Sequence, residues 1–489
     1  MNSGLLILGA TVIGSLLLGL LARRGRDMDL EQWSVGGRSF GSLLIFLLMA
    51  GEIYTTFSFL GCSGYAYGKG AAAYYILVYI TLAQVLGYWL APAIWRYARA
   101  ERLFSQPHFF VRKYDSPALG LLVAIVDVVA LIPYLMLQLK GLGIIVSTTS
   151  YDAISPTVAI LIGAAVVTIY VTASGVRGAA WNAVVKDAMI LGVVVFLGIY
   201  LPFHYYGGYT PMFEAIEAAK PGFLAFPERG NSVVWFQSTV LLTVLGAFMW
   251  PHLFCAAYTA KDERSFRRNS IVLPLYSLLL LFVCFVGFCA ILQVPGLQGT
   301  DIDLALLKLS VQSFDPWFVG VIGAAGLMTA LVSGSVLLTS AATILASDIY
   351  RGVIRPGASD ANVAIVARAM VLVVTLVAVG FALAGGSTIV ALLLMGYNLV
   401  TQLFPAVALS FLRQNPVTKQ GAFCGVLAGV MTVALITVTK STIADILPFL
   451  PDALQDLNVG FVALIVNLGV MALVSLVTRK APVLAPSGT

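Results

Sequence analysis

The chain has 489 residues, 60% of them hydrophobic and only 10% charged, and its mean hydropathy is +0.96. Soluble domains carry about a quarter charged residues, so a soluble globule is excluded and an all-α polytopic membrane protein is implied. The net charge of +6 reads as loop asymmetry at a membrane surface, not as a nucleic-acid footprint.

Apolar runs of about 18–25 residues bounded by charge, Gly or Pro give thirteen candidate spans. In order they are 3–22, 40–66, 72–95, 118–147, 156–174, 182–205, 233–258, 270–293, 317–347, 363–384, 387–412, 420–438 and 458–477. The first lacks the basic n-region and cleavage site of a signal peptide, so it is expected to be retained. Of the Lys and Arg residues, 22 fall on one side, from Arg23, Arg24 and Arg26 to Arg479 and Lys480. Lys69, Lys220, Arg229, Lys308 and Lys440 fall on the other, and Lys140 stands inside a span. The positive-inside rule then predicts an outside N-terminus and a cytoplasmic C-terminus. The five cysteines lie in apolar segments without metal-ligand spacing and read as buried hydrophobes. Outward loops at about 206–232 and 296–316 are short enough to act as caps or gates, and no fused signalling domain is expected after the last span.

The second span departs from a plain anchor. It carries Ala50-Gly51-Glu52 at mid-depth, followed by Tyr54-Thr55-Thr56. An ionised carboxylate there costs roughly 2.5–3.5 kcal/mol on insertion scales, so Glu52 is expected to face protein, water or a ligand. Gly51 loosens the helix where freed carbonyls can coordinate an ion; the plainer alternative is a packing glycine beside a paired Glu. The seventh span repeats the interruption with Trp250-Pro251-His252, where proline removes a backbone hydrogen bond. Interrupted segments at matching places in successive five-helix blocks predict an inverted-repeat transporter with its site between them.

Several motifs in order then identify the resemblance. They are Gly36-Gly37-Arg38-Ser39, Phe59-Leu60-Gly61-Cys62-Ser63-Gly64, Gln138-Leu139-Lys140-Gly141, Ser174-Gly175-Val176-Arg177-Gly178 leading to Trp181, Tyr258-Thr259-Ala260-Lys261-Asp262, Ser347-Asp348-Ile349-Tyr350, and Gly396-Tyr397-Asn398 with Gln402-Leu403-Phe404-Pro405. Over nearly its whole length the chain resembles the sodium:solute symporters. Gly51-Glu52-Ile53-Tyr54-Thr55-Thr56, Trp250-Pro251-His252 and Arg267-Arg268-Asn269 look most like the bacterial monocarboxylate permease branch, which carries lactate, pyruvate and related acids. The resemblance implies a leucine-transporter-type core within about 13 helices. It divides the chain into an extra N-terminal helix and loop (1–36), a first inverted repeat (37–205), an outward loop and second repeat (206–412), and two extra helices with a short tail (413–489).

In sodium-coupled members the ion sits between carbonyls of the broken first core helix and two adjacent hydroxyl residues, often with an Asp nearby. Carried over, the carbonyls are those of Gly51 and Tyr54. Counted back from Asp348, the hydroxyl positions are Val332 and Ser333, with a carbonyl from Thr329; counted forward from Met328 they are Thr329 and Ala330. One hydroxyl is lost in either register, and the Asp position, two after Trp181, is Ala183. A hard cation wants several oxygens. Lys186 lies three residues after Ala183 on the same helix face. Buried lysines shift their pKa readily, and proton-coupled relatives of the fold place a lysine where sodium would bind. Lys186, with Glu52, is therefore expected to replace sodium by a titrating pair; the alternative is an interface lysine snorkelling beside Asp187.

A carboxylate substrate needs cationic or hydroxyl donors. Thr55, Thr56, Ser58, Trp250, His252 and Lys140 are the candidates. Ser58 falls where sugar-carrying relatives place a substrate-contacting Gln, although Thr and Ser hydroxyls also commonly bond back to their own helix. Lys140 either faces the cavity or pairs with Asp127, but thirteen residues, over three turns, separate the two and no direct pair follows. Asn398 and Gln402, four apart on one helical face, either line a gate or join neighbouring helices, and structural hydrogen bonding is the expected role. The expected function is a secondary symporter in a bacterial-type inner membrane that imports small monocarboxylates, with H+ or Na+ as coupling ion, no cofactor and no covalent catalysis. The rivals are a sodium-coupled symporter for another small solute such as an amino acid or pantothenate, a channel, a non-transporting sensor and a membrane enzyme. No Ser/His/Asp order, metal-spaced cluster or phosphate loop supports the last.

Overall fold

The computed structural model describes residues 3–22, 24 and 29–479. Arg23, Arg26 and Lys480 of the basic tally, and the tail beyond Arg479, lie outside the described residues. An apolar run in lipid must satisfy its backbone internally, and each of the thirteen runs is helical. Among the described residues no β-strand forms, and a lone bridge joins Phe40 to Ala260.

Among the described residues, ten helices are individually long and apolar enough to cross a membrane, with one further bent pair at Val233–Met249 and Pro251–Thr259. That count is smaller than thirteen because several runs join or divide. The fifth and sixth runs are continuous as Pro156–Tyr206, turning at Gly175, where φ is +53°. A Cβ there would lie 2.3 Å from the Trp33 carbonyl oxygen, so the turn requires glycine. The second run is divided into Ser42–Gly51 and Cys62–Lys69, with a wide π turn over Phe57–Gly61 between them.

The ninth span, Pro316–Thr343, is the axis of the bundle. Every residue from 322 to 344 is buried, and the helix packs against Pro117–Thr149, Pro156–Tyr206 and Ser3–Ala22. Small residues permit this: a Cβ on Gly320, Gly323 or Gly326 would come within 3 Å of Gly4, Thr149 or Phe59, as expected where membrane helices associate by close packing. The last two spans, Lys419–Thr439 and Val459–Thr478, pack chiefly on each other. Asn467 Nδ2 donates to the Gln402 carbonyl at 2.7 Å, and Gln402 Nε2 donates to Asn398 O and Gly460 O. Gln402 thus joins helices, whereas the Asn398 side-chain oxygen is buried without a hydrogen-bond partner.

The basic loops gather at one end. Arg38 donates to Leu103 O, Arg96 pairs with Glu263 and Arg177 donates to Gly36 O. At the opposite end Arg229 pairs with Asp452, and Asn231 donates to Tyr65. The two segments expected to act as caps are partly helical, at Tyr209–Ala219 and at Gly299–Leu304 with Ala305–Ser313. Gly299–Leu304 lies directly on the second half of the divided span, where a Cβ on Gly64 would be 2.6 Å from Ile302 O.

Candidate functional site at the two helix breaks

Ending a helix at Gly51 leaves carbonyls without intrahelical donors. The Lys186 ammonium supplies them: it donates to Gly51 O and, at 3.0 Å, to Tyr54 O. It also lies 3.3 Å from Asp187 Oδ1, and its side chain is fully buried. Lys186 therefore does not snorkel to an interface; its cation sits inside the break. A Cβ on Gly51 would be 3.2 Å from the ammonium nitrogen and 3.7 Å from the Ala183 methyl, so glycine lets the cation approach. Ala183, Val332 and Met328 form a small apolar cluster of their own. In the register counted back from Asp348, the missing carboxylate and missing hydroxyl thus face each other as hydrocarbon. Thr329 gives its hydroxyl proton to Gly326 O, and the Ser333 hydroxyl is buried without a partner.

The seventh span bends by 46° across Trp250, whose ψ of 126° is extended. The break brings His252 to Glu52, with Nε2 3.3 Å from Oε2 and both side chains almost wholly buried. Glu52 thus faces His252 and makes no bond to Lys186, so the expected titrating pair is not in contact. A cavity of about 50 Å³ opens beside them, bounded by Tyr79, Tyr134, Trp250, Tyr397, Gln84 and Phe57. A single water needs about 10–15 Å³ by this measure, so the space suits a solute of a few heavy atoms. The rings of Tyr134 and Tyr397 meet Trp250 at centroid distances of 4.9 and 5.3 Å, and Tyr134 meets His252 at 5.5 Å. The wall is therefore aromatic and apolar, with polar tips from Tyr, Gln, Glu and His.

Trp250 and His252 stand on this cavity as the sequence suggested. Thr55 does not line it and reaches it through the Tyr134 side chain. Thr56 packs its methyl against Gly141, where an added Cβ would fall 1.8 Å away. Ser58 is spent on the break: its hydroxyl bonds to Ile53 O at 2.6 Å and accepts from Thr55 N at 2.9 Å. The back-bonding alternative holds for Ser58.

Lys140 corrects a larger expectation. It does not line the cavity between the breaks but lies near the end opposite the basic loops, 2.8 Å from Asp303 Oδ2 and from Ser387 O. Asp303 also accepts from Ile389 N at 3.1 Å, so this ammonium ties the cap segment to the start of the eleventh span. Asp127 is buried elsewhere and has no hydrogen-bond partner. Tyr79, Tyr134, Tyr397 and Gln84 were absent from the sequence-derived set. Their polar tips inside apolar runs were the available signal, but nothing in the spacing says which of the chain's 20 tyrosines face a cavity.

A sequence model of the sodium:solute symporter family matches residues 33–429. The chain belongs to that family. It is 60% identical to the uncharacterized symporter YhjB of Bacillus subtilis over 98% of both chains. It is 28% identical to a monocarboxylate transport permease protein of Rhizobium johnstonii over 73% of both. Among solved structures, an outward-open, substrate-bound Na+-coupled sialic acid symporter aligns with a TM-score of 0.78 at 17% identity, covering 99% of this chain and 100% of that one. At such identity the likeness shows the fold: a leucine-transporter-type helical core in a multi-pass membrane symporter.

Proposed function

We propose that this symporter imports small monocarboxylates such as pyruvate and lactate, driven by the proton gradient. The carrying observation is the Lys186 ammonium on Gly51 O and Tyr54 O. These are the carbonyls that would hold sodium by the family pattern, and in the register counted back from Asp348 two of the side-chain oxygen positions, Ala183 and Val332, are hydrocarbon, while Ser333 keeps its hydroxyl. A lysine there delivers the positive charge on a group that can also lose it. With Glu52 at the same break, it forms the coupling unit. The charged ammonium clamps the break to the sixth span, and release of the proton frees the break to rearrange.

The substrate class is supported by the cavity's small volume, by aromatic walls suited to a short apolar tail, and by His252, an imidazole able to donate to a carboxylate. It is supported also by the name of the Rhizobium relative. In this reading the repeats at 37–205 and 206–412 rock about the two breaks to alternate access, with the basic end in the cytoplasm.

The test is uptake of labelled pyruvate and lactate by proteoliposomes of the purified protein under separate inward proton and sodium gradients. Accumulation driven by the proton gradient alone is expected. Accumulation under sodium alone overturns the coupling assignment, and no uptake under either overturns the substrate.

A further inference from the structure

The third span, Tyr74–Ala100, has two faces. Leu82, Val85 and Trp89, spaced as one helical stripe, are exposed, whereas Ala83, Gln84 and Gly87 are buried. The buried face turns to the seventh span, where a Cβ on Gly87 would lie 2.4 Å from the Phe248 ring. It brings Gln84 to the wall of the cavity that Trp250 and His252 also line. Gln84 is only 9% exposed, and its Oε1 is buried with no donor against it. Its NH2 group likewise donates to nothing among the described residues. Gln402 shows what a structural glutamine looks like in this bundle: its NH2 donates to two carbonyls and its Oε1 accepts from Asn467 Nδ2 at 3.2 Å. Gln106 and Gln138 are also unpartnered, but neither borders the cavity between the breaks. Buried polar groups are normally paired, so an amide left open on this wall is matched to what enters the cavity.

We infer that Gln84 reads the substituent on the second carbon of the substrate, and that the preferred class is the 2-hydroxy monocarboxylates, lactate before pyruvate. This deepens the monocarboxylate reading and rests on it, but not on which ion drives transport. In a three-carbon acid whose carboxylate meets His252 and whose methyl meets the aromatic wall, the substituent on the second carbon is the polar group still to be met. A primary amide offers one acceptor and two donors, and a hydroxyl both donates and accepts. Lactate can therefore satisfy both ends of the Gln84 amide. The keto oxygen of pyruvate only accepts; it takes a hydrogen bond from the NH2 group and leaves Oε1 buried without a donor. Propionate, with hydrogen at that carbon, meets neither end. Water can serve the amide in the empty cavity, and a solute that displaces it without replacing its hydrogen bonds binds more weakly. A site built to bond a hydroxyl discriminates against the analogue lacking it because its own polar groups are then stranded.

The experiment is competition in counterflow: proteoliposomes loaded with unlabelled pyruvate, at equal pH and equal sodium on both sides, take up labelled pyruvate against added lactate, pyruvate, propionate or alanine. Wild-type protein is expected to be inhibited by lactate at roughly a tenth of the pyruvate concentration, with propionate weaker than pyruvate. Gln84→Met and Gln84→Leu, which keep the bulk and remove the amide, are expected to bring lactate and pyruvate within about twofold of each other, lactate losing more than propionate. Wild-type protein that binds pyruvate as well as lactate, or better, overturns the inference without any variant. So does an equal weakening of lactate, pyruvate and propionate in both variants, the mark of a packing role, or a lactate preference that survives in them. Alanine competing ahead of all three acids, or no competition by any of them, overturns the monocarboxylate reading itself and the inference with it.

Discussion

Lys140 and Lys186 each lie within a long apolar helix, Pro117–Thr149 and Pro156–Tyr206, and they have opposite surroundings. The Lys140 side chain is 18% exposed and faces a carboxylate, Asp303, at the edge of the cap segment. Lys186 is fully buried and faces two backbone carbonyls freed by a broken helix, with a carboxylate only at 3.3 Å. A full counter-charge makes the first a closed ion pair. Two backbone carbonyls hold the second much as a metal ion is held, with the Asp187 carboxylate beside it at 3.3 Å. In the proton-coupled reading proposed above, the partner of a buried lysine, more than its depth, separates a latch from a coupling site.

Removing Lys186 gives the largest expected effect. Lys186→Met leaves the Gly51 and Tyr54 carbonyls without their donor and takes away the titrating group. Proton-driven uptake is predicted to fall by roughly a hundredfold or more. Lys186→Arg, which keeps the charge but cannot release a proton, is predicted not to rescue it. Rates near wild type for Lys186→Met would erase the distinction between the two lysines.

At Lys140 the loss should be one of stability. Lys140→Met strands the buried Asp303 carboxylate with the Ile389 amide as its remaining partner. Because Lys140 is partly exposed, about 2 kcal/mol is expected, below the cost of breaking a fully buried pair. The melting temperature should drop while the KM for substrate stays put, and Lys140→Met with Asp303→Leu together should recover much of the loss. A KM change without a stability change would move Lys140 back to the substrate. The smallest effect is expected at Ser58, which serves the break and not the cavity. Ser58→Ala should cost about 1 kcal/mol through its lost backbone bonds and leave substrate selectivity unaltered, as competition between pyruvate and lactate would measure.

The sequence carried the helices because lipid leaves an apolar run few alternatives. Gly51 and Pro251 marked the breaks by the same backbone chemistry that produces them. Lys186 was legible because three residues on a helix return to the same face, bringing it to the vacated Ala183 position. The pairing of Glu52 with His252 was not legible: 200 residues separate them, and Glu52 could equally have turned to Lys186 until the bend at Trp250 fixed where His252 lies. Lys140 was misplaced for a related reason. Its partner Asp303 sits in a short cap segment whose position no periodicity encodes. Ser58 and Thr56 carry hydroxyls as a binding residue would, and only the structure shows the Ser58 hydroxyl spent on the unwound backbone and the Thr56 methyl packed against Gly141, its hydroxyl buried without a partner.

The central claim is that an ammonium fills the place of the ion, and sodium-dependent stabilisation tests it most directly. Anything that binds the folded state raises its stability by mass action. The melting temperature of the purified wild-type protein should therefore be the same in sodium chloride and in choline chloride of equal concentration. A rise of several degrees specific to sodium, saturating with concentration, would show an ion site that Lys186 does not fill and would contradict the account.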